Sequence, residues 1–330
     1  MKTLTVFTPT YNRKHTLPRT YESLCRQTCK DFAWLVIDDG SSDGTREWIT
    51  SLGEKTISSG QKFDWMGRKL NEELGERSEE LASADHFVIQ APNVRIEYIY
   101  KPNGGLYTGY NVAYQTIQTE LCVCVDSDDY MPDDAVEKIL ALWKEKGENR
   151  YCGIVGLDFD VRTKEPIGGC FNESTDEIWT LEMNHVGDTK YVFRTELIRE
   201  VAPQIGFEGE RDFNPHYMQM QVLDKWQILL MNENLCWVEY QIGGDSMSQA
   251  IWKQYVRSPR SYAKYRIAEL QMQHGNSLKN KMRLCIHYVS SCLLSKDGDW
   301  LKKSPEKILT ILVAPMGALL YLVVKLKNRK

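Results

Sequence analysis

The stretch that most constrains this chain is Leu121-Cys122-Val123-Cys124-Val125, followed at once by Asp126-Ser127-Asp128-Asp129. Five apolar residues without alternation need cover on both faces, the pattern of a central strand in a parallel sheet. Pro132-Asp133-Asp134 then opens a helix, with proline in the first turn and acids at the positive end of the helix dipole. Three carboxylates are thereby delivered to the carboxyl end of a central strand, the edge at which open α/β sheets bind ligands. Crowded carboxylates repel one another, and a hard cation such as Mg2+ or Mn2+ relieves them while gripping a substrate phosphate. A helix-capping cluster without a metal is the alternative, and these residues alone leave both open.

The remainder supplies strands and helices to surround that one. Thr3–Thr8 alternates and is rich in β-branched residues, then gives way to Pro9-Thr10-Tyr11-Asn12-Arg13. Phe32–Ile37 runs into a turn at Asp38-Asp39-Gly40-Ser41-Ser42-Asp43, and Arg95–Tyr100 runs into Asn103-Gly104-Gly105. Helical spacing follows each strand: Leu17, Tyr21, Leu24 and Cys25, then Leu106–Thr119, then Ala135–Lys146. Strand–helix alternation of this kind predicts an α/β fold with a Rossmann-like, mostly parallel central sheet flanked by helices. Residues 53–93 are polar and too long for a connection, so they read as an insertion with one exposed helix over Met66–Leu81. Later, Gly153–Asp160 and Leu235–Gln241 read as strands, Gln219–Leu229 and Ser277–Leu294 as helices.

The formal net charge of −4 argues against a nucleic-acid binder, which would present a basic face. Nine cysteines, an odd number with no Cys-x-x-Cys, read as reduced thiols in a cytosolic setting. No secretory signal is expected from the first residues. Ile308–Val324 carries no charge and lies between Lys302, Lys303 and Lys307 on one side and Lys325, Lys327, Arg329 and Lys330 on the other. It falls short of the ~20 residues that span a bilayer, and Pro315 and Gly317 interrupt it. Basic flanks suit a segment lying in, or re-entering, the cytoplasmic face of an anionic membrane. A buried terminal helix or an oligomer contact is the plainer alternative.

Tyr11 could stack on a nucleobase, and Asp39 could accept hydrogen bonds from a base edge or ribose hydroxyl. Neither Gly-x-Gly-x-x-Gly nor Gly-Lys-Ser/Thr is present to hold phosphates, which leaves a metal at Asp126 and Asp128. The strings TVFTPTYNR, LVIDDGSSDGT, KPNGGLYTGYN and CVDSDDYMPDDA, in that order and spacing, resemble the family 2 glycosyltransferases of GT-A fold. HVGDTKYVFRTEL and FEGERDFNP resemble a bacterial subgroup acting in capsular or surface polysaccharide assembly. The resemblance implies that Thr8, Pro9, Tyr11 and Asp39 hold a donor nucleoside, with Arg13, Asn103 and Asn111 also in the donor site. It implies that Asp126 and Asp128 form the Asp-x-Asp pair, Asp128 being the more direct ligand of Mn2+ or Mg2+. Leu106 and Tyr110 depart from the Lys and Arg that relatives often carry. The family's Glu-Asp pair holding the catalytic base is not plainly present; Glu210 substitutes by position, with Asp212 and then Asp188 as alternatives.

The resulting expectation is an inverting glycosyltransferase that moves a sugar from a nucleotide-diphosphate sugar, a UDP-sugar, to a saccharide or lipid-diphosphate-linked saccharide. It would sit on the cytoplasmic membrane face. Residues 1–245 would form the GT-A domain, with 1–145 binding donor and 146–245 acceptor, and 246–330 a helical extension carrying the apolar segment 308–324. A sugar-nucleotide nucleotidyltransferase and a non-catalytic membrane-bound assembly partner are the rival readings.

Overall fold

Seven consecutive buried residues in each of Leu4–Thr10 (β1) and Phe32–Asp38 (β2) put these two strands at the centre of the sheet. The structure, a computed structural model, describes residues 2–57, 63–69, 86–172, 177–179, 185–239, 251–275 and 277–328. After β1 and β2 with their helices α1 (Leu17–Arg26) and α2 (Thr45–Thr50) come β3 (Glu54–Ile57), β4 (His86–Gln90) and β5 (Arg95–Tyr100). Then follow α3 (Leu106–Thr116), β6 (Leu121–Cys124), α4 (Ala135–Lys146), β7 (Tyr151–Asp160), β8 (Glu177–Ile178), β9 (Thr189–Arg194), α5 (Thr195–Val201), α6 (His216–Leu223) and β10 (Gln227–Val238). Helices α7 (Ile251–Arg257), α8 (Pro259–Gln271), α9 (Leu278–Ser295), α10 (Trp300–Lys303) and α11 (Lys307–Lys327) complete the described chain.

The chain divides into two compact units, Met1–Gln204 with Lys225–Glu239, and Ile205–Asp224 with Tyr240–Lys330. The first holds a sheet of order β3-β4-β5-β2-β1-β6-β9-β7-β10-β8. Its centre, β5-β2-β1-β6, is parallel, as the strand–helix alternation requires, and β9 runs antiparallel between β6 and β7. Leu4, Val6, Trp34, Val36 and Val123 pack with Leu17 and Leu24 of α1 and Val136 and Ile139 of α4. All four parallel strands therefore end on one edge.

The insertion extends this sheet. β3 and β4 pair antiparallel with each other, and β4 pairs antiparallel with β5, so Glu54–Ile57 and His86–Gln90 extend the sheet at its edge. Of the helix expected over Met66–Leu81, residues 70–81 lie outside the described residues, and Met66–Lys69 belong to a turn bridged from Phe63 to Lys69. The helix expected over Gln219–Leu229 ends at Leu223, and β10 begins at Gln227 rather than Leu235. Parallel pairing of Gln227–Met231 with β7 overrides the helical spacing there.

The second unit is helical. Ser277 caps α9, its hydroxyl accepting from the Asn280 N–H. The expected interruption at Pro315 is absent: α11 is continuous, and packing of its Val313 and Gly317 face on α9 offsets the donor lost at the proline. Gly317 is used for packing, since a Cβ there would lie 2.6 Å from Val289 Cβ on α9.

Candidate active site

The carboxyl ends of β1 and β2 are locked together. The Asp39 N–H donates to the Thr10 carbonyl, the Asn12 N–H to Ser41 Oγ, and the Ser42 N–H to Asn12 Oδ1. Asn12 takes a left-handed φ of 53°, which the short polar side chain tolerates. Next to it Tyr11 stands 50% exposed, an aromatic face offered to solvent at the rim. Thr8 and Pro9 lie beneath, buried; Thr8 Oγ1 accepts from the Trp34 indole. Arg13 is half-buried, its carbonyl starting α1 by accepting from the Leu17 N–H.

Asp38 is part of the scaffold: it accepts from the Ser41 N–H and the Tyr98 hydroxyl, and burial pushes its carboxyl above the ordinary range. Asp39 is also buried. Its oxygens accept from the Lys101 ammonium and from the Gly104 and Gly105 N–H groups. Lys101 is fully buried and also donates to Thr108 Oγ1 at 2.7 Å. Asn103 donates to the Asp39 carbonyl, so the β2 and β5 loops form one hydrogen-bonded body. Asn111 lies deeper, at 0% exposure; its amide donates to the Met66 and Gln204 carbonyls and accepts from the Gln204 N–H. In this structure Asn111 ties α3 to the residue-66 turn and to the end of α5's connection.

The acidic loop follows β6. Asp126 and Asp128 are half-buried, whereas Asp129 is buried. Behind it Lys190 of β9 points inward, 3.6 Å from Asp158 and 4.0 Å from Asp129. Burial disfavours the Lys190 charge, but Asp158, Asp129 and Asp126 hold it protonated well above its ordinary range. Burial pushes Asp126 up; Lys190 pulls it back, and Asp128 and Asp188 push it further. Burial likewise carries Asp158 to about 6. One ammonium is therefore set against three carboxylates, with Asp128 and Asp188 adding negative charge beside Asp126, an excess that a further cation would relieve. The donor set is entirely oxygen, which fits Mg2+ or Mn2+. Among the described residues no group of three or more carboxylate, imidazole or thiol side chains converges as a complete ligand set. The pair Asp126 and Asp128 would leave the remaining positions to water and diphosphate oxygens.

The sequence reading missed what holds this loop. Arg19 donates to the Asp128 carbonyl (2.5 Å) and to Glu239 (2.6 Å), and lies over the Tyr130 ring. Thr20 donates to the Asp129 carbonyl, Ser23 Oγ accepts from the Met131 N–H, and Gln27 bonds both the Pro132 carbonyl and the Val136 N–H. These residues share one face of α1 and its C-terminal end, a polar stripe inside an otherwise amphipathic helix. That misplaced polarity was the available signal.

The carboxylates considered as base are held differently. In the helical unit Glu210 is buried and caps α8, accepting from the Arg260 and Ser261 N–H groups and the Arg260 guanidinium. Asp212 accepts from Arg257 and Ser258. Asp188 is exposed in the sheet unit, where its charge acts on both Asp126 and Asp158.

The profile described as Glycosyl transferase family 2 matches residues 5–71 and 78–201. The chain belongs to this family. As a family 2 member it is 22% identical over 331 residues to the uncharacterized glycosyltransferase EpsJ of Bacillus subtilis, covering 93% of this chain and 83% of EpsJ. It is 26% identical over 137 residues to the chondroitin synthase of Pasteurella multocida; that match covers 42% of this chain but spans only 10% of the synthase. Among solved structures, S. aureus TarS 1-349 in complex with UDP-GlcNAc superposes with a TM-score of 0.59 at 17% identity, over 100% of this chain and 92% of that one. The fold is thus GT-A, with a helical C-terminal extension, and the protein is a glycosyltransferase.

Proposed function

We propose that this glycosyltransferase transfers a sugar from a UDP-sugar to a saccharide acceptor, lipid-linked, by single displacement with inversion. The observation that carries the reading is the braced acidic loop at the end of β6, with Asp126 and Asp128 half-exposed beside the Tyr11 rim. The neighbour TarS, crystallised with UDP-GlcNAc, supports the choice of donor class. Tyr11 stacks on the base, and the Asp39 loop, with Thr8, Pro9 and Arg13 around it, frames the ribose. Asp126 and Asp128 hold Mn2+ or Mg2+, which when bound neutralises charge on the leaving diphosphate. The acceptor hydroxyl gives its proton to a carboxylate as its oxygen attacks the anomeric carbon opposite the diphosphate. We place Asp188 first in that role, since it is exposed beside the acidic loop, ahead of Glu210 and Asp212, whose oxygens hold α8 and its neighbours. The enzyme acts in surface polysaccharide assembly, which the sequence resemblance suggests and the match to a polysaccharide synthase agrees with, and it works at the cytoplasmic membrane face.

Asp128→Ala tests the reading. Sugar transfer from UDP-sugars should disappear, and chelation with EDTA should do the same reversibly, while circular dichroism stays unchanged. Full transfer by the variant, or transfer indifferent to EDTA, refutes the metal assignment.

A further inference from the structure

Helix α11 is apolar on two opposite faces. Thr310, Val313, Gly317 and Val324 are buried at helical spacing, and Gly317 and Val313 pack against α9 and its neighbours. The opposite face carries Ile308, Ile311, Leu312, Leu319, Leu322 and Leu326, each between 53% and 78% exposed. Within the helix unit the packed face accounts for the hydrophobic character needed to hold α11 on the protein. The outer stripe is not needed for that. It runs about 27 Å at 1.5 Å per residue, a length well beyond a scattered surface leucine.

Basic residues predominate at the ends of the stripe, Lys303 being paired with Asp297. Lys302, Lys303 and Lys307 precede it, Lys325 and Lys327 close it, and α11 contains no acidic residue. Its amino-terminal neighbour Glu306 is paired with Lys281. Between α9 and α11 a shallow depression of about 350 Å³ is lined by Met282, Ile286, His287 and Leu320, with Lys279 and Arg283 at its edge. Apolar floor and cationic rim together match an acyl surface under phosphate headgroups.

By length and composition α11 could cross a membrane. Its packing argues otherwise. α9 lies along it, and Arg266 of α8, paired with Glu269, lines a depression with Leu320 and Val324 well inside α11, so crossing would carry an ionised pair into hydrocarbon or strip α11 from its seam at Gly317. We infer that α11 lies flat in the interface of an anionic membrane, its Ile308–Leu326 stripe embedded and its other face kept on α9. This rests on the membrane placement proposed above and specifies its geometry.

The test uses the full chain with sealed vesicles of phosphatidylcholine, with or without phosphatidylserine, and an epitope after Lys330. Binding should require phosphatidylserine. Leu312→Glu with Leu319→Glu should lower partitioning at least about tenfold, because two side chains lose their burial in the leaflet. Lys302→Gln with Lys307→Gln, which leaves the stripe intact, should lower it by about thirtyfold at low salt, at ~1 kcal/mol per basic residue. The epitope should remain open to protease added outside. An epitope protected in the vesicle lumen overturns the flat placement and leaves the membrane reading standing. Absence of binding to either vesicle overturns both; a dimer in sedimentation that the Leu312/Leu319 variant dissolves would then assign the stripe to a second copy.

Discussion

Replacing Lys101 by Met removes the cation from a buried pair while keeping most of the side chain's volume. Asp39 would stay buried, still accepting from the Gly104 and Gly105 N–H groups at 3.0 and 2.9 Å but with no neutralising charge. Thr108 Oγ1 and the Pro102 carbonyl would each lose a donor as well. Breaking a buried pair from one side costs ~3–5 kcal/mol. The two retained N–H bonds put this case at the lower end, about 3 kcal/mol, or about 150-fold in an opening equilibrium. Native-state hydrogen exchange at the amides of β1 and β2 reads that quantity for the sheet directly. A second change, Asp39→Asn, removes the stranded charge, so the double variant should recover more than half of the loss. An exchange increase below about fivefold for Lys101→Met, ~1 kcal/mol, would refute the view that this pair holds the two loops together.

The remaining expectations concern the base, the helical seam and acid. Asp188→Asn should lower kcat by ~10²–10⁴ with little change in donor KM; retained turnover would return the role to Glu210 or Asp212. Glu210→Gln should instead show mainly in thermal unfolding of the helical unit, a loss of ~1.5–3 kcal/mol from weakened charged bonds to the α8 terminus. Gly317→Leu drives a side chain into Val289 and the Ile286 carbonyl, and should cost ~1–3 kcal/mol or more and separate α11 from α9, seen as faster exchange in both helices. Burial, with Arg266 and Arg283 nearby, holds His287 down at about 4, below its unfolded value of 6.5. The unfolded chain therefore binds the proton first, and stability present above pH 6.5 is lost as pH falls towards 4. Thermal unfolding from pH 7 to 4.5 should show that slope, and His287→Gln should flatten it.

The acidic loop and the four strand ends were legible because each is local: an apolar run, a turn and a helix start lie within ~15 residues of one another. What was illegible was long-range. Arg19 and Thr20 meet the acidic loop across 109 residues, and Lys190 reaches Asp129 from a strand that runs antiparallel. Nothing in a single lysine between Thr189 and Tyr191 announces that it will be buried. Asn111 reads from sequence as a donor-site residue, yet in the structure its amide groups go to Met66 and Gln204, a pairing set by tertiary packing. β10 illustrates the same limit: its first residues carry helical spacing, and the neighbouring β7 decides the outcome.

The stripe on α1 also bears on when the site comes into being. The carbonyls of Asp128, Asp129 and Pro132 and the N–H of Met131 are satisfied by Arg19, Thr20, Gln27 and Ser23, partners more than a hundred residues upstream. Such contacts form late, after chain closure has brought distant segments together. A nascent chain that has made only the local strand, turn and helix of 121–146 would hold three aspartates in an unset loop, too loosely arranged to grip a cation. On the metal assignment proposed above, cation affinity should therefore arise in the same step that docks α1, which would make cation binding a reporter of completed assembly of the sheet unit.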